Sequence, residues 1–177
     1  MIQPLSLDSA RALLDFSGGS PSTDIAAEQQ LQGAVALHNL LTQKPFVYLA
    51  DEVGMGKTYV ALGTVALFRH FHPNWRVLYL TPRENIQQKW LKELQNFTAN
   101  NWRVTDNRVR SFQGTPAYGV SVCHSLLDFA RAASLNPQRD FILRLTSFSF
   151  GLGDDTEQWS RKRRELLDLI PWLNPAD

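Results

Sequence analysis

The chain has 177 residues, of which 44% are hydrophobic and 20% charged, and its formal net charge is +1. This composition excludes a disordered chain and indicates a globular protein with one sizeable core. The balanced charge predicts no global attraction to nucleic acid or membranes, so any contact with DNA must be local. A single cysteine, Cys123, excludes an intramolecular disulfide.

The sequence also predicts where the protein works. Its first residues lack the charged region and apolar run of a signal peptide, and no apolar stretch approaches the ~20 residues that cross a bilayer. We therefore expect a cytoplasmic protein with no membrane partner.

The first half of the chain begins with helical patterns. An amphipathic segment over residues 6–16 is followed by turn residues from Ser17 to Thr23, and a helix is predicted to start near Asp24. Its apolar stripe consists of Leu31, Val35, His38 and Leu41. The short apolar run from Phe46 to Ala50 predicts a buried parallel strand, and Thr58 to Phe71 returns to a helical pattern.

The second half continues the alternation of strand and helix patterns. The predicted strands are Val77 to Leu80, Val120 to Cys123 and Phe141 to Leu145, and the predicted helices are Glu84 to Phe97, Ser125 to Ser134 and Glu157 to Leu169. This order predicts an α/β fold in which helices connect parallel strands.

The segment from Asp51 to Thr58 has the composition of a phosphate-binding loop between a predicted strand and a predicted helix. Gly54 and Gly56 let the backbone turn tightly and bring its N–H groups against phosphate oxygens. Lys57 supplies a cation for the β- and γ-phosphates, and Thr58 offers a hydroxyl to Mg²⁺. The segment therefore predicts nucleotide binding.

The loop sequence, Asp-Glu-Val-Gly-Met-Gly-Lys-Thr, resembles motif I of the Swi/Snf family of DNA translocases within superfamily two helicases, which opens with Asp-Glu. Three further segments are similar to motifs of that family. Gln30 to Gly33 looks like its glutamine motif, Val77 to Leu94 like motif Ia, and Leu145 to Phe148 like motif Ib. Within that family, the sequence is more similar to the bacterial branch, which includes RapA-like proteins, than to the eukaryotic remodellers.

The resemblance implies a P-loop, RecA-like three-layer lobe with a parallel sheet, here incomplete, and ATP with Mg²⁺ as cofactors. It implies catalytic roles for Lys57 and Thr58, with Thr58 as the magnesium ligand. The implied ATP-binding residues are Gln30, which would contact adenine, Asp51, Glu52, Val53, Gly54, Met55, Gly56, Lys57, Thr58 and Tyr59. The implied contacts to duplex DNA are Thr81, Pro82, Arg83, Thr146 and Ser147.

Two parts of that family are absent from the sequence. Motif II, whose acids hold Mg²⁺ and activate water, has no counterpart, because no apolar strand precedes the acidic residues Asp154 to Glu157. The second lobe and its arginine fingers are also missing. We therefore expect ATP binding with negligible hydrolysis, a missing second half or partner chain, and an exposed sheet edge.

The resulting domain prediction has three parts: an N-terminal segment and loop at residues 1–23, a partial helicase ATP-binding domain at 24–155, and a charged helical tail at 156–177. Two alternatives stay open. The chain is either a non-catalytic module that binds nucleotide or DNA and needs a partner, or a small P-loop phosphotransferase. The second alternative requires an acceptor site and a lid, and the sequence shows neither.

Overall fold

The structure, a computed structural model, describes residues 4–17, 24–50, 56–72, 75–103, 119–136, 139–148 and 156–169. Its contacts divide the chain into two compact units. The first unit comprises Met1–Trp75 and Lys92–Tyr118, and the second comprises Arg76–Leu91 and Gly119–Asp177.

The described elements alternate as the sequence predicts. The helices are α1 (Leu7–Leu13), α2 (Asp24–Leu41), α3 (Lys57–Phe71), α4 (Glu84–Asn100), α5 (Leu126–Leu135) and α6 (Thr156–Leu169). The strands are β1 (Leu78–Thr81), β2 (Val120–Cys123) and β3 (Asp140–Arg144), and a 3₁₀ helix spans Leu145–Phe148. These elements confirm the predicted helices and the last three predicted strands within a few residues at each end.

One predicted strand is wrong. Phe46 to Ala50 is not part of any strand, and the Phe46 and Tyr48 residues are 79% and 88% exposed. A short apolar run has the composition of a buried strand, but a strand also needs a neighbour that accepts its backbone hydrogen bonds. Composition alone cannot show whether such a neighbour exists.

The first unit is built around the close packing of α2 against α3. A Cβ atom on Gly63 would come 2.6 Å from Phe16 Cζ and 3.2 Å from the Ala34 Cβ, so the missing side chain lets the two helices approach. The Thr64 hydroxyl, buried in the same contact, donates to the Val60 carbonyl at 2.9 Å. The core of this unit includes Leu31, Val35, Val60, Leu62, Leu67 and Phe97.

Helix α1 is attached to the same unit. Ser6 caps α1, because its hydroxyl accepts a hydrogen bond from the Ser9 N–H at 3.2 Å. Arg11 on α1 forms an ion pair with Glu28 on α2 at 2.6 Å. After α1, Leu14 forms an antiparallel bridge with Trp102, which follows α4.

The second unit contains a three-stranded parallel sheet in the order β1-β3-β2. The pairs Leu78–Phe141 and Thr81–Arg144 fix the register of β1 against β3, and Cys123 lies opposite Leu143. Strand β3 is therefore central, although it comes last in the sequence. The chain is thus α/β with a parallel sheet, consistent with part of a RecA-like lobe.

Helices cover both faces of the sheet. Cys123, Phe141 and Leu143 form a buried cluster on the face that packs against α5. On α4, Trp90 packs against Tyr79 with ring centroids 5.7 Å apart, as expected of a core residue. Near the amino ends of the strands, a cavity of about 420 Å³ is lined by residues that include Arg76, Leu78, Phe129, Ala133, Phe141 and Leu169. None of the helices in the described residues is long and apolar enough to cross a membrane.

Candidate nucleotide and nucleic-acid sites

The predicted phosphate-binding loop ends at a helix start that suits an anion. Gly56 has φ 74° and ψ 27°, in the left-handed region, and it is the N-cap of α3. Its carbonyl accepts hydrogen bonds from the Tyr59 and Val60 N–H groups at 2.8 and 3.1 Å. Lys57 and Thr58 follow directly in the first turn, which contains no acidic residue. Because the N–H groups at a helix start point away from the helix, this end carries a positive partial charge.

Gln30, the predicted adenine contact, lies against this helix start. A Cβ atom on Gly56 would come only 2.1 Å from Gln30 Nε2, so the amide occupies the space beside the glycine. Helix α2 carries Gln30 and helix α3 begins after Gly56, so the packing of these helices brings the two residues together. Asp51, Glu52, Val53, Gly54 and Met55 lie outside the described residues.

Tyr59, the remaining predicted ATP-binding residue, packs inside the first unit. Its ring meets Phe97 edge to face with centroids 5.7 Å apart. Burial raises the pKa of the Tyr59 hydroxyl, and a hydrogen bond with Glu93 raises this pKa further. The side chain thus connects the first turn of α3 to the second half of α4.

The predicted DNA-contacting residues gather at the carboxyl edge of the sheet in the second unit. Thr81 ends β1, and the exposed residues Pro82 and Arg83 lead into α4. Because β1 and β3 are parallel neighbours, the 3₁₀ helix after β3 carries Thr146 and Ser147 to the same edge. Ser147 donates through its hydroxyl to the His124 carbonyl at 3.4 Å, and Thr146 is exposed.

Two residues that the sequence interpretation missed stand at this edge. The Arg144 guanidinium donates from one NH2 nitrogen to the His124 carbonyl at 2.7 Å, and its other terminal nitrogen lies 3.6 Å from a Glu84 carboxylate oxygen. In the sequence, Arg144 is the charged residue within the apolar run Phe-Ile-Leu-Arg-Leu. A positively charged residue at the end of a predicted buried strand could have indicated this position as a candidate contact.

Gln87 was also missed, and it ties α4 to the strand ends. It is 0% exposed, and its amide nitrogen donates to the Cys123 and Ile142 carbonyls at 3.1 and 3.3 Å. Within the described residues, buried polar atoms without a hydrogen-bond partner include Thr81 Oγ1, Gln87 Oε1 and Arg144 Nε. All three atoms belong to residues at or next to the carboxyl edge of the sheet.

The nucleotide site and the part of the edge from Thr81 to Arg83 lie in the part of the chain that is similar to a known family, whereas Arg144, Thr146 and Ser147 follow that part. The family described as type III restriction enzyme, res subunit, matches residues 23–131, which is more than half of the chain. Comparisons with curated proteins and with solved structures gave no match. The matched range includes the phosphate loop, α2, α3, β1 and α4. The chain therefore belongs to the family of the type III restriction enzyme res subunit, as an ATP-dependent, helicase-like N-terminal region of superfamily two.

Proposed function

We propose that this chain is the ATP-binding N-terminal part of a Swi/Snf-type DNA-dependent ATPase, in whose intact relative hydrolysis drives movement along duplex DNA. The start of α3 carries this proposal. Gly56 caps the helix in a left-handed conformation, Lys57 and Thr58 follow in the first turn, and Gln30 lies against Gly56. The opening Asp51-Glu52 of the loop supports the Swi/Snf type.

These residues fit ATP with Mg²⁺. The N–H groups at the start of α3 and the Lys57 ammonium would bind phosphate oxygens, and the Thr58 hydroxyl would ligate the metal ion. The Gln30 amide has both a donor and an acceptor, as recognition of an adenine edge requires. The bound Mg²⁺ would neutralise charge on the phosphates.

The carboxyl edge of the sheet would contact the DNA backbone through Thr81, Pro82, Arg83, Thr146 and Ser147. A parallel sheet binds ligands beyond the carboxyl ends of its strands, and a helix start there favours phosphate. The description of the matched family as a restriction enzyme subunit supports DNA as the polymer.

The nucleotide proposal is tested by Lys57→Ala, with Lys44→Ala as the control. Lys44 is exposed in the turn after α2, so both variants lose one positive charge in the same unit. Loss of a charge-assisted contact should raise the Kd for MgATP by about ten- to 150-fold in Lys57→Ala, measured by titration calorimetry. An unchanged Kd in Lys57→Ala, or an equal loss in Lys44→Ala, would contradict the proposal.

A second candidate function is nucleotide binding that needs a partner chain for hydrolysis. It requires only that this chain bind the nucleotide at the start of α3, while another chain supplies the acids and arginines needed for hydrolysis. Adding a chain that supplies both parts should produce ATPase activity that duplex DNA stimulates and that Lys57→Ala abolishes. Phosphate transfer to a small acceptor, unaffected by DNA, would instead favour a phosphotransferase.

A further inference from the structure

We propose that Glu84 weakens the binding of DNA at the carboxyl edge of the sheet and so acts as an electrostatic gate. Its carboxylate pairs with the Arg144 guanidinium, which a phosphate of the DNA backbone would otherwise bind. This inference rests on the proposed contact of this edge with duplex DNA. It adds Arg144 to the contacting residues and gives Glu84 an opposing role.

Arg144 is held in position to meet a ligand. It is the last residue of the central strand β3, opposite Thr81, and its bond to the His124 carbonyl fixes one end of the guanidinium. The side chain is 31% exposed, so the group is anchored but reachable from solvent. A planar guanidinium with several donors matches the geometry of a phosphate.

Glu84 stands on the reachable side of this group. The residue begins α4, its side chain is 60% exposed, and its carboxylate lies 3.6 Å from the Arg144 guanidinium. That distance is longer than the roughly 2.7–2.9 Å of a charge-assisted hydrogen bond. Exposed ion pairs of this kind contribute little free energy. A phosphate can therefore displace the carboxylate, but it must overcome the negative charge to do so.

The competition has two parts. The carboxylate neutralises Arg144, and it repels an anion that approaches the N–H groups at the start of α4 or the neighbouring Arg83. Both effects lower the affinity of the edge for a polyanion. Removing the Glu84 charge should therefore strengthen binding, and the gain should depend on Arg144.

The experiment measures binding of the full chain to a fluorescent short duplex DNA by anisotropy over a range of salt concentrations. Glu84→Gln should bind about three- to tenfold more tightly at low salt. Asp168→Asn is the control, because it makes the same change of charge on α6 next to Leu169, at the cavity near the amino ends of the strands. It should change the affinity by less than about twofold.

Variants of Arg144 test the coupling. Arg144→Gln should weaken binding and make the negative slope of log K against log salt shallower by about 0.9. In the double variant with Arg144→Gln, the Glu84→Gln gain should shrink to about twofold or less. Circular dichroism of each variant checks that the fold is retained.

The outcomes separate this inference from the proposed function. If wild type binds DNA and Glu84→Gln binds no better than Asp168→Asn, the gate is refuted and DNA binding stands. An undiminished gain in the absence of Arg144 would also refute it, because Glu84 would then act without this partner. If neither wild type nor Glu84→Gln binds duplex DNA, the proposed DNA contact itself falls.

Discussion

Gly56 combines two constraints on a single residue. Its positive φ is a conformation that L-residues rarely adopt, and the space that a Cβ atom would fill is taken by the Gln30 amide. The first constraint is strain in the backbone, and the second is a collision with a movable side chain. They can be separated experimentally.

Gly56→Ala should lower the free energy of unfolding by about 1–2 kcal/mol through left-handed strain, measured by urea denaturation. The added methyl group should also push Gln30 away from the helix start. The double variant Gly56→Ala/Gln30→Ala removes the collision and keeps the strain, so it should recover only the part due to the collision. A single variant as stable as wild type would contradict both expectations.

His38 is the residue for which we expect a pH effect. It is 1% exposed, its ring lies 4.5 Å from that of Phe68, and its Nδ1 atom is 3.2 Å from the Asn39 side-chain oxygen. Burial lowers the pKa of His38 below its ordinary value of 6.5, and the nearby His72 lowers it further, whereas Asn39 opposes the shift. Protonation is therefore less favourable in the folded chain than in the unfolded chain.

For a group whose folded pKa is lowered, the cost of protonation is absent above the unfolded pKa and grows as the pH falls. Stability should therefore decrease as the pH falls from 6.5 toward the lowered pKa of folded His38. In His38→Leu, this pH dependence should disappear from the free energy of unfolding measured by urea at each pH. An equal slope in both proteins would show that another group causes it.

At the scale of elements, most of the helices were predictable because they show periodic apolar residues or local start signals. Ser125, for example, caps α5 by accepting from the Asp128 N–H at 3.1 Å. The helix start after Gly56 was predictable because the residues that indicate it are contiguous. The position of Gln30 beside Gly56 was not predictable in this way, and only the resemblance linked Gln30 to the nucleotide.

The carboxyl edge was only partly predictable, for a topological reason. Strand β3 inserts between β1 and β2, so Arg144 meets Thr81 across a pairing that the order of the sequence does not show. The contact of Gln87 with two strand ends depends on the same order. The wrong prediction of a strand from Phe46 to Ala50 has a related cause, since strand pairing depends on residues that are distant in the sequence.

The connection between α4 and the sheet can be tested at Gln87. Gln87→Met keeps a similar volume but removes the donor to the Cys123 and Ile142 carbonyls. It should lower the free energy of unfolding by about 1–2 kcal/mol, because the two carbonyls lose their donor. Removal of the unpartnered Oε1 atom should offset part of this cost. Gln88→Met, at the exposed next position of α4, should change it by less than about 0.5 kcal/mol in the same urea assay.

At the scale of the whole molecule, nucleotide binding should appear as stability. A ligand that binds only the folded chain, present at about 100 times its Kd, stabilises it by about 2.7 kcal/mol. At the same MgATP concentration, the Tm of wild type and of Lys44→Ala should therefore rise by several degrees in calorimetry, and that of Lys57→Ala by about half as much or less. Equal shifts in all three proteins would place the nucleotide elsewhere.

The exposed aromatic residues after α2 have a consequence for proteolysis. Phe46 and Tyr48 present aromatic side chains on backbone that belongs to no strand, which is what a chymotrypsin-like protease needs in a substrate. Brief digestion should therefore cut the chain at these residues. Because α2 and α3 pack closely through Ala34 and Gly63, the two fragments should remain associated after the cut. They should migrate together on a sizing column and separate only in denaturant.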